Sequence, residues 1–454
     1  MTVELKPISL PDFGAAHQAP RIPGSTYETR VRAAYEKANT DWLVVYSDRE
    51  HIAAIAYLSG FEPRFEEAFL LIGPNERRVL LAGNESQSYA PLAGLPGLDV
   101  LVAQSLSLMG QDRSRFPRLL DRFRDAGIKK GDSVGLVGWK YLEPEEDEDL
   151  SDAFFVPAVH LAMLRRLVGA EGSVRDVSSI LFHPGEGLMT RLDVDQLAAF
   201  EWAATRASLA VWRIVSGVRE GDDEFQAASR MGYAAEPLNV HTMLASASGS
   251  ETVIGLRSAN GRLIKRGDGI TTAVGMWGAL ASRAGLFDKE NNAFLKTASS
   301  YFEGLSAWYE TADIGVAGGE LFEAVTAKLA EGDLGSALNP GHLTGYEEWT
   351  HSPVRPNSTD KLASGMAFQV DVIPVPMPGN WALNCEDPVF FADEALREEL
   401  RARHPETARR IEARRKFVRE ELGIAIKPNI LPLSATPLCL APFWLRSGHL
   451  LAKS

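Results

Sequence analysis

The second half of the chain passes twice through the same outline, helix, helix, strand, strand, and few architectures accept such a tandem. In the first pass Phe200, Ala204, Ala207, Val211 and Ile214 recur at helical spacing, which predicts an amphipathic helix over 193–215. A second helix follows GDDE near 222–232, and apolar stretches at 240–247 and 269–276 read as strands. In the second pass Phe294, Ala298, Phe302, Leu305 and Tyr309 mark a long helix, and GGELFEAVTAKLAEG (318–332) a second. Strands are then expected at 366–374 and 381–391. The two passes share a pattern and no visible residue identity. They imply a pseudo-symmetric sheet covered by helices on one face.

The first half alternates differently. After an irregular, Pro-rich arm (1–25), a helix pattern begins at Tyr27. LVVY (43–46), EAFLLI (67–72), RVLLAG (78–83), VLVAQ (100–104) and VGLVG (134–138) read as strands, with helices at 51–58 and 115–126. The acidic run EPEEDED (143–149) reads as a solvated surface segment. FHPGEG (182–187), with its proline and two glycines, marks a domain boundary. The predicted domains are therefore 1–185 and 186–454. A charged helix to about Leu422 and an apolar, Pro-punctuated tail (430–445) close the second domain.

Charge and cysteine content narrow the function classes. A net charge of −13 leaves no excess of cations to displace counterions from a phosphate backbone, so nucleic acid is not an expected partner. Cys385 and Cys439 lack CxxC spacing and are expected as free thiols in a reducing compartment. No run approaches the ~18 apolar residues needed to span a bilayer. No basic segment followed by an apolar stretch opens the chain, so a cytoplasmic location is expected and no membrane partner.

Three residues stand out chemically. Asp371 lies within MAFQVDVIPV and Glu386 within WALNCEDPVFF, both otherwise apolar, and His342 lies in the turn-rich NPGHLTGYEEWTH. A carboxylate in an apolar strand is costly unless it is paired or hydrogen-bonded. Two on neighbouring strands, with a histidine nearby, can form an acid/base or ligand cluster. The alternative is that each bonds to backbone or arginine groups while His342 caps a turn.

The ordered motifs resemble the creatinase/aminopeptidase P (M24, pita-bread) family. AYLSGFEPRFEEAFLLI (56–72) resembles its N-terminal domain signature, and IKRGDGITTAVGMWG (264–278) the strand after its GD turn. GHLTG (341–345), SGMAFQVDVIP (364–374) and NCEDPVFF (384–391) resemble its later active-site motifs. The likeness spans residues 27–391. It implies an α/β fold: a creatinase-type α/β domain followed by a pseudo-symmetric pita-bread α/β domain with a C-terminal helical extension.

The family holds two metal ions with two aspartates, a histidine and two glutamates. Carried over residue by residue, the aspartates fall on Ala273 and Leu280, the histidine on His342, and the glutamates on Asp371 and Glu386. A further family histidine falls on Leu256. Alanine and leucine cannot ligate, so the resemblance implies a member depleted of its metal pair, like the creatinase branch. The expectation is then a site without cofactor that hydrolyses a C–N bond (amide, lactam or amidine) in a small charged molecule. His342 or His351 would move the proton, since an amine leaves poorly unless protonated. Asp371 and Glu386 would orient water or bind a substrate cation. Arg64 from a partner subunit of a homodimer would bind a substrate carboxylate beside Phe65. Trp277, Trp349 and Arg355 would complete the substrate wall. Two alternatives stay open: a mononuclear metal-dependent Xaa-Pro aminopeptidase or prolidase-like peptidase using His342, Asp371 and Glu386, and a non-catalytic binding protein.

Overall fold

The structure is a computed structural model and describes residues 2–454. The chain divides into two compact units, Ile22–Thr190 and Arg191–Ser454, the latter joined by the segment up to Arg21. Both are α/β, as expected. The N-terminal arm is not irregular throughout. Val3–Pro7 is a strand that pairs antiparallel with His449–Lys453, so the start of the chain belongs to the second unit.

The unit Ile22–Thr190 is built on a six-stranded mixed sheet. Its order is Asp99–Val102, Arg77–Ala82, Ala68–Gly73, Trp42–Ser47, Ser133–Val137 and Ser173–Asp176. Trp42–Ser47 runs antiparallel to Ala68–Gly73 and parallel to Ser133–Val137. Both strands at the 42–47 and 68–73 positions are buried along their whole length, which is why they read as continuous apolar runs. Val44, Tyr46, Phe69 and Leu71 pack with Leu119 and Phe123 of helix Leu119–Ala126 and with Leu164 and Val168 of helix Ala158–Val168.

The second unit carries a seven-stranded antiparallel sheet. Its order is His342–Leu343, Ala367–Val370, Asn384–Phe391, Ala279–Leu286, Gly269–Met276 and Met243–Ala247, with Ile430–Pro432 also pairing Asn384–Phe391. The periodicity reading does not find Ala279–Leu286, because its small residues show no clear apolar alternation. It hairpins with Gly269–Met276 through Trp277 and Gly278. Gly278 has φ +67°, and a Cβ there would lie 2.2 Å from the ring of Phe200, so the turn admits only glycine.

Helix Val194–Gly217 starts where the Asp193 carboxylate accepts from the Gln196 amide, and Asn291 caps helix Asn292–Thr311 through Phe294 in the same way. The charged segment after Asp393 forms two helices, Glu394–Arg403 and Pro405–Glu420, divided where Pro405 cannot continue the first. The second is fastened to Val194–Gly217 by a buried cluster in which Arg410 and Arg414 both bond Glu201, at 2.6 and 2.7 Å. Cys385 and Cys439 are buried free thiols. Among the described residues no helix is long and apolar enough to cross a membrane.

Candidate metal centre

The strand register decides which side chains share a face. His342 pairs with Gln369, Gln369 with Pro388, Ser282 with Glu386 and Ser282 with Ala273. Directly paired residues share a face, as do residues two apart along one strand. His342, Gln369, Glu386, Leu280 and Ala273 therefore project from the same side of the sheet. Asp371 follows one residue after the strand ends at Val370.

One donor atom from each of His342, Asp371 and Glu386 lies within 4.8 Å of the others. All three residues are buried. His342 is presented by a turn in which Gly341 has φ +113° and lies against the Trp308 indole, whose nitrogen donates to the Pro340 carbonyl at 2.8 Å. The His342 Nδ1 donates to the Leu343 carbonyl at 3.2 Å, which directs the Nε2 lone pair outward. His342 Nε2 faces Glu348 Oε1 at 3.1 Å, and Asp371 Oδ1 has no hydrogen-bond partner although it is buried. Gln369 Nε2 holds Glu386 Oε1 at 2.9 Å and also donates to the Leu280 carbonyl at 2.7 Å.

The electrostatics show carboxyl groups crowded around one buried imidazole. Burial pushes the Asp371 carboxyl up to about 7; His342 opposes this and Glu348 adds to it. Burial also raises Glu386 well above the carboxylate range, and repulsion from Asp371 and Glu348 adds to that. For His342, burial acts downward, but Glu348 and Asp371 outweigh it and the net shift is upward. Two buried carboxyls whose hold on their protons is raised, beside an imidazole nitrogen, form a donor set whose protons a divalent ion can replace. These residues fit a metal ion: one nitrogen and two carboxylates, as in three-ligand catalytic sites that keep a fourth position open.

This overturns the expectation of a site without cofactor. That expectation rested on Ala273 and Leu280, which cannot ligate. The donors that remain converge within 4.8 Å of one another, an arrangement suited to an ion. Ala273 and Leu280 do lie on the cluster's face, where they pack with Met243 and Val240 as an apolar wall.

The other predicted site residues take varied places. Trp349 stacks on the His342 ring, centroids 4.0 Å apart and planes 20° from parallel. His351 is bridged to Leu343, whose amide donates to the His351 carbonyl at 2.7 Å. Trp277 packs edge-on against Tyr346 at 5.9 Å. Arg355 stands 3.5 Å from Asp360. Leu256 is 76% exposed. In the other unit, Arg64 donates to the Tyr89 hydroxyl at 2.8 Å and lies near Glu62, and Phe65 is 69% exposed. Sequence reasoning passed over Gln369, the anchor of Glu386, and Glu348, whose Oε1 stands 3.1 Å from His342 Nε2. Gln369 was open to detection as a polar residue in an apolar strand, two before Asp371. Glu348 carried no comparable signal.

No family model matches the sequence, and no curated protein sequence resembles it significantly. Solved structures do resemble the fold. The prolidase from Pyrococcus horikoshii OT3 superposes with a TM-score of 0.61 at 18% identity, covering 80% of this chain and 95% of that one. The Xaa-Pro dipeptidase from Bacillus anthracis gives 0.60 at 16% identity, covering 82% and 96%. The X-Pro aminopeptidase from Thermotoga maritima MSB8 gives 0.62 at 17%, covering 81% and 95%. The fold is thus the expected pita-bread architecture with its preceding α/β domain.

Proposed function

We propose that the chain is a mononuclear metal-dependent hydrolase that cleaves the C–N bond of a peptide-like substrate, with Xaa-Pro dipeptides the first class to test. The observation that carries this reading is the convergence of His342, Asp371 and Glu386, with the buried Asp371 Oδ1 left without a hydrogen-bond partner. One ion is proposed rather than two because Ala273 and Leu280 line the adjoining face and offer no donor. The likeness to prolidases and X-Pro aminopeptidases supports the choice of substrate.

When bound, a divalent cation would polarise the scissile carbonyl and acidify water. His342 would hold it through Nε2, Asp371 and Glu386 through carboxylate oxygens. Gln369 fixes the Glu386 carboxylate from the side, and Trp349 keeps the His342 ring in one plane. The apolar wall of Met243, Ala273 and Leu280 excludes water from one side of the cluster and strengthens every charge interaction there. The leaving amine needs a proton, and His351, bridged to the residue after His342, is the candidate donor.

Purified chain loaded with Mn2+, Co2+ or Zn2+ is expected to hold one ion and to hydrolyse dipeptides such as Ala-Pro, and His342→Ala to lose both properties. Fully loaded protein that cleaves no dipeptide would overturn the catalytic reading. Protein that takes up no metal would overturn it at its root.

A further inference from the structure

We infer that Asn239 reads the substrate backbone: its side-chain amide pairs with the N–H and C=O of a residue further along an extended peptide whose scissile bond lies at the cluster. This rests on the reading above that the cluster cleaves peptide-like substrates, and it makes the preferred substrate an oligopeptide rather than a dipeptide. The starting point is an amide with nothing to bond. Both Oδ1 and Nδ2 of Asn239 are buried, and neither has a hydrogen-bond partner. Buried amide atoms are almost always paired, because desolvation without a bond is costly. An amide that the fold leaves open is one that an entering ligand can pair without breaking any bond.

Strand register places that amide on the cluster's side of the sheet. Leu238 bridges Met276, and the Asn239 backbone N–H donates to the Gly275 carbonyl at 3.4 Å, so residues 238–239 run along the end of Gly269–Met276. Asn239 Oδ1 lies over Gly275, 2.3 Å from where a side chain there would begin. Gly275 pairs with Leu280 and stands two residues from Ala273, and both of these share a face with Glu386. Glu386 and Gly275 are thus two strand spacings apart across the sheet and two residues along it. At ~4.8 Å per spacing and ~3.4 Å per residue that is roughly 12 Å, which an extended peptide covers in about three or four residues.

The surface in between suits a peptide. Met243, Ala273 and Leu280, with Val240 packed against them, offer no hydrogen-bonding side chain and match apolar groups of a substrate. In an extended chain the N–H and C=O of one residue point to the same side. A side-chain amide matches that pair, with Oδ1 accepting and Nδ2 donating. A prolyl residue has no N–H, and an Xaa-Pro dipeptide ends before it reaches Asn239, so neither supplies the pair. Trp277, in the hairpin turn after Met276, carries a buried Nε1 that is likewise without a partner, a further donor for a substrate carbonyl at that end of the strand.

The test uses the full chain with Mn2+ and two probes, Ala-Pro and Ala-Pro-Ala-Ala, with the carbonyl of the first alanine reduced to CH2 so that neither is hydrolysed. In calorimetric titration, wild type is expected to bind the longer probe about 10-fold more tightly, the value of one or two net hydrogen bonds. Asn239→Ala is expected to abolish that advantage and to leave the affinity for the shorter probe unchanged. N-Methylation of the last two residues of the longer probe removes their N–H groups, and should cost wild type a similar factor and Asn239→Ala nothing. The melting temperature of Asn239→Ala, expected to match wild type because the amide makes no bond within the fold, shows that the fold is intact. No advantage in wild type, or an advantage that survives Asn239→Ala, overturns the inference and leaves the amide to a buried water. Cleavage of unmodified Ala-Pro by the same protein would then keep the hydrolase reading standing. An Asn239-dependent advantage without cleavage of any unmodified peptide overturns the hydrolase reading and keeps Asn239 as a peptide contact. Wild type that binds neither probe overturns the inference.

Discussion

Arg283 Nη1 donates to the main-chain carbonyl of Glu386 at 2.9 Å, so the strand that delivers a carboxylate to the cluster is gripped by its backbone from the strand beside it. The same guanidinium bonds both oxygens of Asp387 at 2.9 and 3.0 Å and the Cys439 carbonyl at 2.9 Å, in complete burial. Glu386 and Asp387 are consecutive and project to opposite faces. One faces the cluster, and the other neutralises the arginine that holds them both.

Asp387→Asn should therefore lower stability by about 3–5 kcal/mol, because it leaves the Arg283 charge buried without a counter-ion while keeping the shape. Chemical denaturation of the metal-free protein measures this. A loss below about 1 kcal/mol, the value of an exposed ion pair, would show that Arg283 is satisfied by carbonyls alone.

Gln369→Met keeps the volume of the side chain but removes the donor that orients Glu386. Cation affinity should fall by about 10- to 100-fold, the usual cost of losing a group that orients a ligand. Calorimetric titration checks it. Affinity equal to wild type would mean that the strand alone places the carboxylate.

Cation binding should stabilise the fold. At a free concentration 100 times Kd, the gain is about 2.7 kcal/mol if the unfolded chain does not bind. Thermal denaturation with and without Mn2+ should show a rise for wild type that disappears in His342→Ala. A rise of equal size in both would place the ion elsewhere.

A pH effect is expected in the N-terminal unit. Burial pushes the Asp176 carboxyl up to about 6, although the Ser178 hydroxyl and amide act against the shift. The unfolded value is about 3.9, so between that pH and 6 the folded state holds the proton more tightly. Stability contributed by this group is present below about pH 4 and is lost as pH rises toward 6, by roughly 3 kcal/mol in total. Asp176→Asn removes the effect and keeps an acceptor for Ser178. The stability of Asp176→Asn relative to wild type should thus grow between pH 4 and 6 and level off above. A difference that does not vary with pH would sink the assignment.

The sequence by itself determined the elements whose signals are local. Helix Val194–Gly217 follows from its apolar stripe and the Asp193 cap, and Trp42–Ser47 and Ala68–Gly73 from short apolar runs. It also singled out His342, Asp371 and Glu386, because charge within apolar surroundings demands a partner wherever the chain goes. What those partners are was decided only by tertiary structure. The ordered motifs suggested a site without metal because Ala273 and Leu280 cannot ligate. Register then placed both as an apolar wall and brought the remaining donors together. Val3–Pro7 had no local reason to be a strand, since its partner His449–Lys453 lies at the other end of the chain. Ala279–Leu286 was hidden by small residues whose burial comes from neighbours on both sides. Glu348 stood in a polar loop with no periodicity to read. Its place beside His342 Nε2 comes from backbone bonds that return the loop to Leu343, and such closure is a property of the folded chain, not of any window of residues.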